Sequence, residues 1–190
     1  MKTKWYHGSP IRNISGFVVD QPRYDSLEGN GVYLTQSYTI ARSYAGSEGS
    51  VYEVEISGAI LDMTNREELD RMVKQASNIV GFDIMKLELI PGTIEEILNG
   101  RYQIGNHKGM GVGWQIKNIL LNEESFITKS GADEQALSVE TKINEYLHNH
   151  DAWLYEDSKL GLVLIVKNPD KVKPIKEIII GSTDDESNLD

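Results

Sequence analysis

Three short runs carry side chains able to hold or cleave a small ligand. The first is Trp5-Tyr6-His7-Gly8-Ser9. Bulky β-formers lead into a Gly-Ser-Pro turn, so the histidine ends a strand. An imidazole there lies at a sheet edge beside a backbone bare of side chain at Gly8. Imidazole can donate to a ribose hydroxyl, and a bare backbone can pair with a flat amide. The second run is Gly29-Asn30-Gly31-Val32-Tyr33-Leu34-Thr35, then Ala41-Arg42-Ser43-Tyr44-Ala45. A strand holding Tyr33 leads into a helix holding Tyr44. Their phenols can lie close, and aromatic walls suit a flat cationic ring. The third run is Trp153-Leu154-Tyr155-Glu156-Asp157, a strand ending in two acids. Period-two alternation puts Asp157 with Trp153 and Tyr155, and Glu156 with Leu154. A carboxylate can stabilise positive charge that develops on a bound substrate, as in glycoside hydrolysis. Taken singly, each run has a commonplace reading: a strand-end histidine, two core tyrosines and a solvated acidic turn.

Taken together, the first two runs resemble the ADP-ribosyltransferase superfamily, in its diphtheria-toxin and poly(ADP-ribose) polymerase branch. That branch has a His-Gly-Ser/Thr strand end, a Gly-x-Gly-x-Tyr strand and an Ala/Ser-x-x-Tyr helix. His7-Gly8-Ser9, Gly29/Gly31/Tyr33 and Ala41/Tyr44 follow in that order, with the tyrosines eleven positions apart. The likeness covers residues 4–57 well and 144–180 loosely. It implies NAD⁺ as substrate, with His7 on the adenosine-side ribose and the Gly8 backbone on the nicotinamide carboxamide, Ser9 nearby. Tyr33 and Tyr44 would pack the nicotinamide and its ribose, under a loop from Asp20 to Asn30. In the family the catalytic acid lies on a late strand, a few residues before an Asp-Pro or Asn-Pro turn. Here that place holds Val163 and Leu164, which cannot act as acids. The Glu-Asp strand end is similar to that of some small phage anti-CRISPR ADP-ribosyltransferases, whose Asp is the catalytic acid. On that resemblance Asp157 ranks first and Glu156 second. The resemblance thus implies Asp157, Glu156, Tyr33 and His7 as the catalytic set. Glu134 and Glu140 fall on a predicted helix, where a solvent-facing position is the rule.

Elements must hold these runs in place. Strands are predicted at 3–7, 32–35 and 51–56, with a helix to Ala45 capped by Ser37 or Thr35. Thr64 with Glu67, and Thr93 with Glu96, have capping-box spacing. Leu69, Met72, Val73 and Ala76 follow the first at helical spacing. Residues 62–149 read as mostly helical. Strands return at 152–156, 160–167 and 177–180. The expectation is an α+β fold, a single ADP-ribosyltransferase-like domain over 1–190. Its split β-sheet core carries a helical insertion between early and late strands. The Gly29-Asn30-Gly31 run lacks the third glycine and the following helix of a dinucleotide-binding fingerprint. A doubly wound dehydrogenase is therefore disfavoured.

Bulk properties narrow the partners. The chain has 190 residues, no cysteine and a net charge of −10. Polyanion binding by charge calls for the opposite sign, so a protein acceptor is favoured over nucleic acid. Lys167, Lys171, Lys173 and Lys176 read as a solvated strand end and turn. No run reaches the ~18 apolar residues of a membrane span. The first residues are too polar for a signal peptide, which makes the cytoplasm the default. His107, His148 and His150 lack metal-ligand spacing, so no metal is expected. Trp114 reads as core. The size and helical insertion suit a bacterial or phage effector or toxin. The expected activity is ADP-ribose transfer to a macromolecule. Competing readings are an NAD⁺ glycohydrolase, a non-catalytic NAD⁺ or ADP-ribose-binding module, and transfer of an RNA 2′-phosphate to NAD⁺. The last wants several arginines, and only Arg12, Arg23 and Arg42 lie near the matched region.

Overall fold

The computed structural model describes residues 3–19, 31–80, 83, 85, 88–89, 92–99, 149–157 and 159–181. Gly29, the loop from Asp20 to Asn30, Arg23, His107, Trp114, Glu134, Glu140 and His148 lie outside the described residues. The elements in chain order are β1 (Trp5–Ser9), β2 (Val32–Thr35), α1 (Tyr38–Ala45), β3 (Ser50–Ile56), β4 (Ile60–Asp62), α2 (Arg66–Val80), β5 (Glu88–Leu89), β6 (Gly92–Thr93), α3 (Ile94–Leu98), β7 (Ala152–Asp157), β8 (Gly161–Val166) and β9 (Val172–Ile179). The class is α+β. Contacts divide the chain into two compact units, one of residues 1–59, 151–153 and 160–190, the other of 60–150 and 154–159.

The first unit is built on strands in the order β8-β2-β1-β3-β9, every neighbouring pair antiparallel. Its longest ladder joins β3 to β9, where Glu53 faces Lys176 and Glu55 faces Lys173. Glu53 also takes an ion pair from Lys4 at 3.1 Å. These cross-strand charges hold an otherwise exposed pair of rows in register. Pro174 stands opposite Val54 where the register shifts, on the outermost strand of the unit, which tolerates a missing N–H. β9 begins at Val172, five residues before the predicted strand start. A 3-10 turn (Pro169–Lys171) precedes it, capped by Asn168, whose side chain accepts from Asp170 N.

Lys167 departs from the expectation of a solvated lysine. Its ammonium lies 4.6 Å from the centre of the Trp153 ring. Burial lowers its pKa to about 8, although the Asp151 carboxylate acts to raise it. The lysine spacing does not show this, because Trp153 and Asp151 meet Lys167 only once its N–H has paired with the Asp151 carbonyl oxygen.

Helix α1 has eight residues, too few to stand alone in water. Ser37 starts it: its backbone is extended and its Oγ accepts from Ile40 N at 3.3 Å. Thr35 Oγ1 accepts from Ser37 N at 3.1 Å and so shapes the entry rather than the cap. Ala41 and Ala45, one turn apart, are buried in a cluster with Tyr6, Val51, Ile178 and Ile180. The helix rides very close to β1. A Cβ built at Gly8 would run into the carbonyl oxygen of Ala41. Gly8 is therefore required by packing, whatever else its backbone does.

The second unit contains α2, α3, β4 and the paired residues Glu88↔Thr93 and Leu89↔Gly92. Asn65, not Thr64, caps α2: its Oδ1 accepts from Glu67 N at 2.9 Å and Glu68 N at 3.4 Å. Thr64 instead donates to Asp62 Oδ1 at 2.6 Å. A Thr-x-x-Glu spacing is satisfied by either arrangement, and the Asx side chain wins because it reaches two orphan amides. Leu69, Met72, Val73 and Ala76 are all buried, as their spacing predicts. Thr93 and Glu96 form the reciprocal capping box at the start of α3. Met63 N donates to Leu154 O at 2.8 Å, joining β4 to the later half of β7.

Candidate functional site

His7 lies where the first unit's sheet opens. β1 pairs with β3 at five positions, from Trp5↔Val54 to Ser9↔Ser50. Toward β2 it pairs at Tyr6↔Thr35 and at no later described position. Continuing that register would set Gly8 against Tyr33. Instead, β2 stays paired with β8 through Val32, and the His7 ring reaches across: its Nδ1 lies 3.0 Å from the Tyr33 carbonyl oxygen.

That bond assigns the tautomer. A carbonyl only accepts, so Nδ1 carries the proton, and in the neutral ring Nε2 is the acceptor. Burial pushes the His7 pKa down, and the Tyr33 carbonyl only partly opposes it. The ring is thus neutral at pH 7. In this tautomer the neutral ring offers Nε2 as an acceptor, so toward a hydroxyl it can accept rather than donate. Titration of His7 by imidazole NMR should give a midpoint below 6.5. Because the folded value is depressed, this residue's contribution to stability is complete above pH 6.5 and is lost as pH falls through the folded value. A midpoint at or above 6.5 would contradict the assignment.

The other predicted residues of the first unit lie on β2, on α1 and at the end of β1. Tyr33 is half-buried on β2. Tyr44 is 60% exposed on α1, so its ring has face to offer a ligand. Ser9 is buried, and its Oγ accepts from Ile11 N at 3.1 Å, closing the turn after β1. Gly31 has a packing reason of its own: a Cβ there would sit 2.8 Å from Val166 O on β8.

The acids belong to the second unit. Asp157 is 8% exposed and Glu156 is exposed, and Trp153 and Tyr155 are buried like Asp157. The predicted alternation therefore appears in the burial pattern. Asp157 Oδ1 accepts from Lys159 N at 2.7 Å and shapes the turn into β8. Val163 and Leu164 are buried apolar residues and supply no acid. A cavity of about 670 Å³ in the second unit is lined by Arg66, Asp70, Lys74, Ser77, Asn78, Asp83 and Met85. Arg66 and Asp70 there pair along one helix face at 2.9 Å, the behaviour of a solvated surface. None of the predicted residues lines it.

Three residues near His7 escaped the sequence reading. Phe17 meets the His7 ring edge-on at 4.8 Å and the Tyr52 ring at 6.1 Å. Tyr52 is 1% exposed, and its hydroxyl lies 2.9 Å from both Ile11 O and Glu177 Oε1, donating to one at a time. Glu177 sits amid isoleucines, and an acid in an apolar run was the available signal. Among the described residues, no three His, Asp or Glu side chains converge as a metal site, and no helix is long and apolar enough to cross a membrane.

No family model and no curated protein matches the chain. A solved structure titled as the crystal structure of an anti-CRISPR protein is 12% identical, over 92% of this chain and 94% of that one, with a TM-score of 0.39. Likeness at that level carries no argument about fold or activity.

Proposed function

We propose that the chain cleaves NAD⁺ at the nicotinamide–ribose bond and transfers ADP-ribose to a macromolecule, a protein in preference to nucleic acid. The carrying observation is the His7 imidazole, tethered across the opening between β1 and β2 by the Tyr33 carbonyl and kept neutral by its burial. In this reading Nε2 accepts from a hydroxyl of the adenosine-side ribose. The Gly8 backbone holds the carboxamide, with Ser9 shaping the turn beside it. Tyr33 and the exposed Tyr44 pack the nicotinamide and its ribose. Asp157 stabilises the oxocarbenium ion that forms as nicotinamide leaves, and Glu156 is the alternative acid. The split sheet core and helical insertion of the ADP-ribosyltransferases belong to the same proposal, as does an effector role in the cytoplasm.

One observation favours a second reading. β8 carries only apolar residues where the family places its acid, so the chain could be a module that binds NAD⁺ or ADP-ribose without turnover. The RNA 2′-phosphate reading loses support, since Arg12 bonds the carbonyls of Glu48 and Ile180.

Purified protein incubated with labelled NAD⁺ and a cell extract separates these. Nicotinamide release with label on protein is the expected result. Release with free ADP-ribose and no labelled macromolecule identifies a glycohydrolase. Binding without release identifies the module. Absence of both binding and release overturns the reading.

A further inference from the structure

His7, Tyr52 and Glu177 form one row across three adjacent strands, since His7 pairs with Tyr52 and Tyr52 with Glu177. Directly paired residues project from the same face of a sheet. Above this row runs the segment Ile11 to Phe17. It is bound to the row at several points. Asn13 N donates to Glu177 Oε1 at 3.0 Å, and Ile14 N to the Tyr52 hydroxyl at 3.2 Å. Ser50 Oγ donates to the same Glu177 oxygen at 2.7 Å. Asn13 has φ of 58°, the left-handed region, and among the described residues it is the one non-glycine there. Asparagine tolerates that conformation better than most residues, but it still needs fixing. At the end of the segment Phe17 rests on the His7 ring.

We propose that Glu177 is a positioning residue: it anchors the segment Ile11–Phe17, which seats Phe17 against His7 and keeps water from the imidazole. This rests on the reading of His7 as the ribose-binding group. The carboxylate suits the task. Burial pushes its pKa up, but the bonds from Ser50, Asn13 and Tyr52 and the charge of Arg12 outweigh that, so it titrates below its usual value. It remains an ionised acceptor, able to take several donors at once. Burial also raises the Tyr52 phenol, which stays protonated. Among the described residues, the charged groups acting on the row are Glu177 itself and Arg12. Neither is a cause of the His7 depression, which comes from burial, opposed by the Tyr33 carbonyl. Removing the cover over His7 therefore acts by hydration of the ring.

The test compares Glu177→Ala, Glu177→Gln and Phe17→Ala in the full chain. His7 is titrated by NMR, and KM and kcat for NAD⁺ are measured. Glu177→Ala and Phe17→Ala should both move the His7 midpoint up toward 6.5. KM should rise about tenfold while kcat stays within about threefold, as misplacement of a binding group predicts. Glu177→Gln keeps an acceptor oxygen and should hold the midpoint near wild type. An unchanged midpoint in both alanine variants overturns the proposal. If Glu177→Ala does not fold, Phe17→Ala alone decides whether the cover controls His7, and Glu177→Gln then decides the anchor by its rescue. A shifted midpoint in a protein that never turns over NAD⁺ leaves the positioning role standing and counts against the proposed activity.

Discussion

Asp157→Asn should lower the rate of nicotinamide release by about a hundredfold or more, while leaving the fold intact. The substitution separates two roles of one side chain. Asp157 Oδ1 accepts from Lys159 N, and the asparagine carbonyl can accept the same bond. If the residue serves only the turn, the amide replaces it and activity survives. If its charge stabilises the oxocarbenium ion, the amide cannot replace it, and kcat falls with little change in NAD⁺ affinity. Asp157→Ala removes both the charge and the turn bond, so it should also cost roughly 1 kcal/mol of stability. The reverse pattern, with Glu156→Gln inactive and Asp157→Asn active, would assign the acid to Glu156. Burial favours Asp157, since a carboxylate screened from bulk water acts more strongly on a nearby cation than one on the exposed side of the strand.

Gly8→Ala should destabilise the protein by about 3 kcal/mol, the upper part of the usual range for overpacking. At this chain length that lowers Tm by roughly 6–12 °C. The obstacle is the Ala41 carbonyl, a backbone atom inside a helix, so no side-chain rotation relieves it. Helix α1 must move away from β1 and carry Tyr44 with it. Loss of NAD⁺ binding in this variant would therefore accompany loss of stability. Gly16→Ala is the control. Among the described residues nothing lies within 4 Å of a Cβ there, so the change should be neutral or stabilise by about 0.4–1 kcal/mol through the unfolded chain. Equal melting temperatures for Gly8→Ala and wild type would show that α1 does not press on β1 as described.

Gly8 also illustrates what could be read from the chain alone. A glycine after a strand-end histidine is legible in the sequence, and by itself it suggests a bare backbone for a ligand. Its packing role depends on a helix that begins thirty positions later, and no local pattern reports that approach. The same division runs through the molecule. Ser37 as a cap, the buried face of α2 and the side of β7 that carries Asp157 all follow from local spacing, and all are found. Asn65 in place of Thr64 was a choice between two neighbouring caps of similar strength. Glu177, Tyr52 and Phe17 were not legible because their row exists only once β1, β3 and β9 are in register. Lys167 differs: its cover, Trp153, comes from the preceding strand, and the spacing of the lysines says nothing of that pairing. Local periodicity placed the elements; the site's support came from pairings between residues more than a hundred positions apart.

The most direct test of the account is an NAD⁺ titration followed by imidazole and aromatic NMR of the unmodified protein. Saturable shifts of the His7 Nε2 resonance and of the Tyr33 and Tyr44 rings, with Nδ1 remaining protonated, are the predicted result. Absence of any His7 response at saturating NAD⁺, or shifts confined to the Arg66–Lys74 face of the second unit, would contradict it.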